Sequence, residues 1–268
     1  MMSAMEGKRW TMSCEIRIMG PKGSQSLREI VEGTGLRRYA SKKYKTDVLV
    51  NYGLSGEKLR NFYRRFPSAK GMPTINRIVG YSKYRALQLA KRHGIIVPES
   101  RLELLKSHKL NDWIEKRFNS QSGYGICQAR GRHKLSSKYY QRYIKDRRYE
   151  LRIHGFNWVD QKNWKVQKRF GKDGEIAWNY RNGGYFSSVY NPTNHQTFVS
   201  AMEITSNVLR ILNMGFGAAD FIVSRDGKLY FIEVNSCPGF QELSKNIYLD
   251  AFESLRKMRL KEVLKFAD

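Results

Sequence analysis

The feature that most constrains this chain is a pair of apolar stretches late in the sequence, FGAADFIV (216–223) and KLYFIEVN (228–235), separated only by Ser224-Arg225-Asp226-Gly227. Asp-Gly between two runs of β-branched and aromatic residues is a strong hairpin signal. Each run places one carboxylate among apolar neighbours, Asp220 in the first and Glu233 in the second. Strand side chains alternate, so Asn235, two residues beyond Glu233, shares its face. Two carboxylates forced together in a partly buried place repel, and one protonates unless a cation neutralises them. Magnesium suits such a small set, because it takes one or two protein carboxylates and leaves its other octahedral positions to water and phosphate oxygens; manganese is an alternative. Taken singly, Asp220 ending a strand and Glu233 facing solvent is the simpler reading. The apolar flanks of Glu233 and the turn at Ser236-Cys237-Pro238-Gly239-Phe240 favour the metal.

Upstream, the pattern alternates strand and helix. CEIRIM (14–19) is a strand ending at Gly20-Pro21, and residues 25–34 carry Leu27, Ile30 and Val31 at helical spacing. DVLVNYGL (47–54) reads as a buried strand, followed by a polar helix over 56–65 and an apolar stretch, INRIV (75–79). This order predicts a parallel sheet. From Ser82 to Gly94 a capping serine, apolar spacing and a glycine stop predict a helix, with IIVPES as a short strand after it. The middle of the chain then offers short strands, WIEKRF (113–118), GICQA (125–129), YQRYI (140–144), YELRIHGF (149–156) and WKVQKRF (164–170), which suggest antiparallel pairing. In YELRIHGF, Tyr149, Leu151 and Ile153 form one face, while Glu150, Arg152 and His154 form the other. Residues 196–213 read as a helix with Phe198, Met202 and Leu209 on one stripe, and the tail from Leu243 to Phe266 as another with Leu243, Ile247, Phe252, Leu255 and Val263 inward. The fold class is α/β, with α+β lobes: residues 1–80, 81–140 and 141–268.

Composition closes off several alternatives. An apolar fraction of 41% supports a packed core, and three scattered cysteines neither staple a fold nor make a paired-ligand zinc site. The five histidines form no HExxH pair, and no GxSxG elbow appears. With no signal-like apolar stretch at the N-terminus and no long apolar run, the expectation is a soluble, cytoplasmic protein with no membrane partner. The formal charge of +25 attracts anionic partners.

AADFIV, a short turn and YFIEVNSCPGF resemble the metal-binding end of ATP-grasp enzymes, with Asp220, Glu233 and Asn235 where that superfamily binds the magnesium ions that bridge ATP phosphates. The resemblance extends over about residues 75–240, in the carboxylate–amine ligase branch, alongside ribosomal-protein glutamate ligases and small phage-encoded relatives. It implies an ATP-grasp fold preceded by a small α/β lobe. By the same resemblance, Lys116 in WIEKRFNSQSGYGI is the strand lysine on the ATP phosphates, ahead of a flap ending at Gly123 and Gly125. Lys83 stands in the segment that enters the central lobe. Tyr143 and Ile144 match the hinge at the adenine edge, although Arg142 stands where many relatives carry Glu. Glu150 would face the ribose, and Arg152 a phosphate or substrate carboxylate. Lys168 falls where relatives carry a basic residue toward the nucleotide, with Lys165 and Arg169 as alternatives. WNYRNGGYF resembles the R-x-N-x-x-x-G-G stretch of the glutamate-ligase branch with shortened spacing, giving Arg181 and Asn182 catalytic roles beside an acyl phosphate; Asn182 also reads as a turn residue.

These residues imply an ATP- and magnesium-dependent ligase that joins a carboxylate to an amine through an acyl phosphate. The charge adds a nucleic acid or an acidic protein as possible acceptors. A kinase on the same scaffold and a non-catalytic nucleic-acid-binding protein are the competing readings.

Overall fold

The computed structural model describes residues 14–78, 80–119, 124–172, 174–178, 182–240 and 242–268. Gly123, Arg181 and the side chain of Leu243 lie outside the described residues. Strands β1 (Ile16–Met19), β2 (Arg37–Arg38), β3 (Val48–Asn51) and β4 (Thr74–Ile75) pair in parallel in the order β2-β1-β3-β4. Parallel neighbours need crossovers, which α1 (Gln25–Thr34) and α2 (Gly56–Arg65) supply. Helix α1 begins where the Ser24 hydroxyl accepts from Leu27 N at 3.2 Å, and it stops at Gly35, whose φ of 69° most side chains resist. The chain moves outward from β1 in one direction and from β3 in the other, so right-handed crossovers put the two helices on opposite faces. Leu27 and Ile30 of α1 pack with Ile16, Ile18, Val48 and Val50. Leu59 and Phe62 of α2 pack with Met19 and Leu49 on the other face.

Helix α3 (Lys83–Arg92), capped by Ser82, leads into an antiparallel sheet of β5 (Ser100–Arg101), β6 (Trp113–Arg117), β7 (Cys127–Gln128) and β8 (Lys138–Arg142), ordered β5-β8-β6-β7. The third sheet is also antiparallel: β9 (Arg147–Phe156), β10 (Lys165–Phe170), β11 (Tyr185–Ser188), β12 (Phe216–Ser224) and β13 (Leu229–Asn235), in the order β11-β10-β9-β12-β13. Helix α4 (Gln196–Ile211) buries Phe198, Met202 and Leu209 against Leu151, Ile153 and Phe221 on one face of it. The opposite face carries the charges. Two helices then return to the first sheet: α5 (Glu242–Lys257) and α6 (Leu260–Val263) place Tyr248, Phe252, Leu255 and Val263 in the core built on β1 and β3. Among the described residues, no helix is long and apolar enough to cross a membrane.

The departures from the sequence-based expectations have local causes. IIVPES forms no strand before Ser100, since Pro98 lacks an N–H and the Ile96 carbonyl accepts from Phe231 N at 2.9 Å. Among the described residues of INRIV only Ile75 lies in a strand, because Asn76 turns to a φ of 59° and its side chain takes over the backbone at Gly215 and Phe216. β8 ends at Arg142, leaving Tyr143 and Ile144 beyond it. The tail helix breaks after Lys257, and α6 starts anew at an Arg259–Glu262 capping pair. Strand β11, four residues of YFSS, has no periodic signal to announce it.

Candidate active site

The hairpin expected at Asp226-Gly227 forms, with Gly227 at a φ of 84°, and its strands set Asp220 directly opposite Glu233. A bulge falls between the Asp220 and Phe221 pairings, where β13 holds one extra residue, Ile232. On its other side Asp220 pairs with Arg152 of β9, which pairs with Gln167 of β10. One row of the sheet therefore reads Gln167, Arg152, Asp220, Glu233, with Arg169 and Glu150 in the row beside it.

These side chains interlock. Arg152 grips Asp220 with both arms of its fork, Nε to Oδ1 at 2.7 Å and Nη2 to Oδ2 at 2.8 Å. Arg169 Nη2 bridges Glu150 Oε2 at 2.6 Å and Asp220 Oδ2 at 3.4 Å, and Arg147 Nη1 reaches Glu150 Oε1 at 2.7 Å. Asp220 is 2% exposed. Burial pushes its carboxyl up, but Arg152 and then Arg169 outweigh burial and hold it down at about 2. Two guanidiniums thus do here what any cation beside a buried carboxylate does, and keep it ionised.

Glu233 has its own cation, Lys83 Nζ at 2.6 Å, and accepts from Asn235 Nδ2 at 3.4 Å. Burial raises its carboxyl, and Lys83 and Lys116 together outweigh burial and the nearby Asp220, with a net downward shift. Lys116 enters from the second sheet, buried, with Nζ donating to Gln141 Oε1 at 3.1 Å. Burial pulls its ammonium down to about 8 against the opposing pull of Glu233. Five cations, Arg147, Arg152, Arg169, Lys83 and Lys116, gather around Asp220, Glu150 and Glu233, an excess of two positive charges. Buried Arg147 Nε and Arg169 Nε find no acceptor among the described residues. The cluster is short of negative charge.

Below this row, His154 lies between Tyr248 Oη at 3.0 Å and Gln167 Oε1 at 2.9 Å. Burial and then Arg152 push its imidazole down to about 4, so the ring is neutral near pH 7. At the far end, the first lobe closes on the segment after Asn235. Tyr52 Oη donates to Pro238 O at 3.0 Å, the Ser24 hydroxyl lies 3.6 Å from Cys237 Sγ, and Gly53 leaves no room for a Cβ against Cys237.

The sheet register moves one expected residue away. Lys168 pairs with Leu151, so it lies on the α4 face, its ammonium 4.8 Å from the Tyr149 ring centre and 5.2 Å from that of Phe198. Lys168 therefore faces away from the Asp220 row, whereas Arg169, the alternative to it in the sequence, stands on the charged face. Tyr143 N donates to Asp112 O at 2.8 Å, and Gly125 has a φ of 76° beside the Arg117 side chain. Asn182 donates to Glu175 Oε2 and Ala177 O, both at 3.1 Å, which holds the loop that also caps Arg147 through the Glu175 and Ile176 carbonyls. Sequence reasoning misses Arg147, Gln141, Gln167 and Tyr248. Strand parity within RRYELRIHGF is the only available hint, and it does not reveal which strand pairs with which.

Neither a family model nor a curated protein sequence matches the chain. Solved structures do. The chain resembles the RiPP-associated ATP-grasp ligase of Chryseobacterium gregarium in complex with ADP and a leader and core peptide, at a TM-score of 0.60 and 13% identity, covering 92% of this chain and 98% of that one. It resembles D-alanine–D-alanine ligase from Bacillus anthracis complexed with ATP at a TM-score of 0.60 and 17% identity, over 94% and 98% of the two chains. The ATP-grasp ligase PsnB complexed with minimal precursor, magnesium and ADP gives 0.58 and 12%, over 93% and 97%. Three sheets in this order and a likeness spanning nearly all of both chains identify the architecture: this chain has the ATP-grasp fold.

Proposed function

We propose that the chain is an ATP-dependent carboxylate–amine ligase acting through an acyl phosphate. The observation that supports it most is the row Arg152, Asp220, Glu233 with Lys83 and Lys116 against it, because an excess of two cations around buried carboxylates suits a polyanion such as a nucleotide triphosphate. The carboxylates of Asp220 and Glu233 and the amide oxygen of Asn235 are hard donors that fit magnesium or manganese. The bound metal would neutralise charge on the transferring phosphoryl group.

In this reading Lys116 and Lys83 hold phosphate oxygens, and Glu150 faces the ribose. Tyr143 and Ile144 contribute to the adenine edge, and Gly123 and Gly125 belong to a closing flap. Arg152, with Arg169 in place of Lys168, turns part of its fork from Asp220 toward the anion. The carboxylate oxygen of one substrate attacks the γ-phosphorus, and the bond to the bridging oxygen breaks with its electron pair leaving on ADP. The amine nitrogen of the second substrate then attacks the acyl carbon. The bond to the phosphate oxygen breaks, inorganic phosphate departs, and the nitrogen gives up its proton. Arg152, Arg181 and Asn182 stabilise or position the acyl phosphate. Preorganised charge of this kind stabilises a transition state without a covalent protein nucleophile. An anionic macromolecular acceptor accords with the charge of +25, and the similar solved structures that hold a leader and core peptide or a minimal precursor favour an acceptor of polymer size.

The test is incubation with ATP, magnesium and pooled amino acids, peptides or oligonucleotides, reading ADP against AMP and searching by mass for a new amide. ADP release that depends on an amine supports the ligase. A phosphorylated product formed without any amine replaces it with a kinase, and AMP release replaces the acyl phosphate with an adenylate.

A further inference from the structure

The outer face of the first lobe, away from α1 and α5, is covered by two basic elements that the site does not use. One is the loop after β2, Ser41-Lys42-Lys43-Tyr44-Lys45; the other is helix α2, whose outward residues include Lys58, Arg60, Arg64 and Arg65. Tyr39 joins them. Its buried ring stands 5.9 Å from Phe62 and 5.4 Å from Phe66, so the strand leading into the loop is fixed against the helix. The edge strand β2 adds Arg37, which registers with Arg17 and so shares its face.

Two properties distinguish this face from an ordinary solvated surface. The first is a lack of counter-charge: among the described residues, no carboxylate lies within ion-pair distance of Arg37, Lys42, Lys43, Arg60 or Arg64. The nearby Asp47 is already taken, accepting from Glu15 N at 2.9 Å and facing Lys45 at 3.9 Å. The second is an aromatic platform. Tyr44 is 54% exposed, yet its ring is backed by the buried Arg17 guanidinium, 4.8 Å from the ring centre, and Arg17 Nε donates to Lys45 O at 3.4 Å. A planar ring held in place from beneath and flanked by lysines offers its open side for stacking.

We propose that this face, formed by the Lys42–Lys45 loop and the outer side of α2, is a binding surface for single-stranded nucleic acid. Lysines and arginines without counter-charge along two adjoining elements match a phosphate backbone, while an exposed aromatic among them takes an unpaired base. A polyanion without bases, such as an acidic peptide, uses the cations and leaves Tyr44 idle. The proposal is independent of the ligase reading, because none of these residues touches the Asp220–Glu233 cluster.

The experiment is fluorescence anisotropy of a labelled single-stranded RNA, and the DNA of the same sequence, each about 20 nucleotides so that it spans more than one site of about 4–16, titrated with the full chain at several salt concentrations. Lys42→Ala/Lys43→Ala/Arg60→Ala/Arg64→Ala should weaken binding roughly tenfold or more and flatten the salt slope by about 0.7 for each phosphate that is no longer neutralised. A control with the same charge loss on the C-terminal helices, Arg256→Ala/Lys257→Ala/Lys261→Ala/Lys265→Ala, should change affinity by no more than about twofold. Tyr44→Leu keeps an apolar cover on Arg17 and should weaken binding about fivefold or more through loss of stacking. Equal losses in the two quadruple variants overturn the proposal, as does Tyr44→Leu binding like the parent while a polyglutamate peptide competes as well as the oligonucleotide. All substituted cations are exposed, and a circular-dichroism melt checks that each variant is folded. ATP turnover measured alongside reports separately on the ligase reading.

Discussion

The cleft face of the third sheet and the outer face of the first lobe are both rich in arginine and lysine, but they hold them differently. In the cleft, Arg152, Arg169, Arg147 and Lys83 all meet a carboxylate within 2.8 Å, and the groups lie largely out of water. On the outer face, Arg60 and Arg64 stand in solvent with no carboxylate in reach among the described residues. Buried charges must be matched, and once matched they are fixed in place; exposed charges cost little alone and remain free to meet a ligand. The first arrangement presents a set geometry to a small anion, and the second presents a field to a long one.

The largest expected effect comes from breaking the cleft lattice. Asp220→Ala leaves two guanidiniums facing each other in a buried place, and we expect a loss of about 3–5 kcal/mol in urea unfolding, with ATP turnover abolished. A loss under about 1 kcal/mol means that the lattice is not formed in solution. Next is the ligand that restores balance. Because the cleft already carries excess positive charge, magnesium alone should hardly move the melting temperature, whereas magnesium with ATP at about 100 times its Kd should stabilise by about 2.7 kcal/mol; a large shift with magnesium alone contradicts the charge argument.

Acid should expose the same pairing. The Asp220 carboxyl titrates at about 2 when folded, below its ordinary value of 3.8, so its contribution is complete above about pH 4 and is lost as pH falls toward 2. We expect about 2 kcal/mol of the stability difference between the parent and Asp220→Asn to vanish across that window, read from urea midpoints at each pH. A difference that is constant with pH rules this out. The smallest effect belongs to the other face: Arg60→Ala/Arg64→Ala should change stability by no more than about 0.5 kcal/mol. A larger drop in the same unfolding assay would show that those arginines have partners after all.

Much of the cleft was legible because its signals are local. Alternation put Glu233 and Asn235 on one face, the Asp226-Gly227 turn set Asp220 opposite Glu233, and Ser82 and Gly94 marked the ends of the helix that delivers Lys83. The choice between Lys168 and Arg169 was open to alternation, since Trp164 and Val166 mark the core face that Lys168 shares while Arg169 falls on the other, but that β10 pairs with β9, which brings Arg169 to Glu150 and Asp220, was not legible within either strand. Periodicity likewise identified the inward residues Phe252 and Leu255 without saying that the sheet they cover lies near the start of the chain. The exposed charges of the outer face were counted in the composition but not located, because a net charge has no direction.

That long-range cover has a consequence for synthesis. Val48 and Val50 emerge early, yet Phe252 and Leu255, which bury them, follow about 200 residues later, which at ribosomal rates of about 5–20 residues per second is a delay of roughly 10–40 seconds. The first sheet to be made is among the last to be completed. Until α5 arrives, α1 is the only helix over that face and its apolar cover is incomplete, so a nascent chain stalled before residue 242 should be a substrate for chaperones rather than a folded lobe.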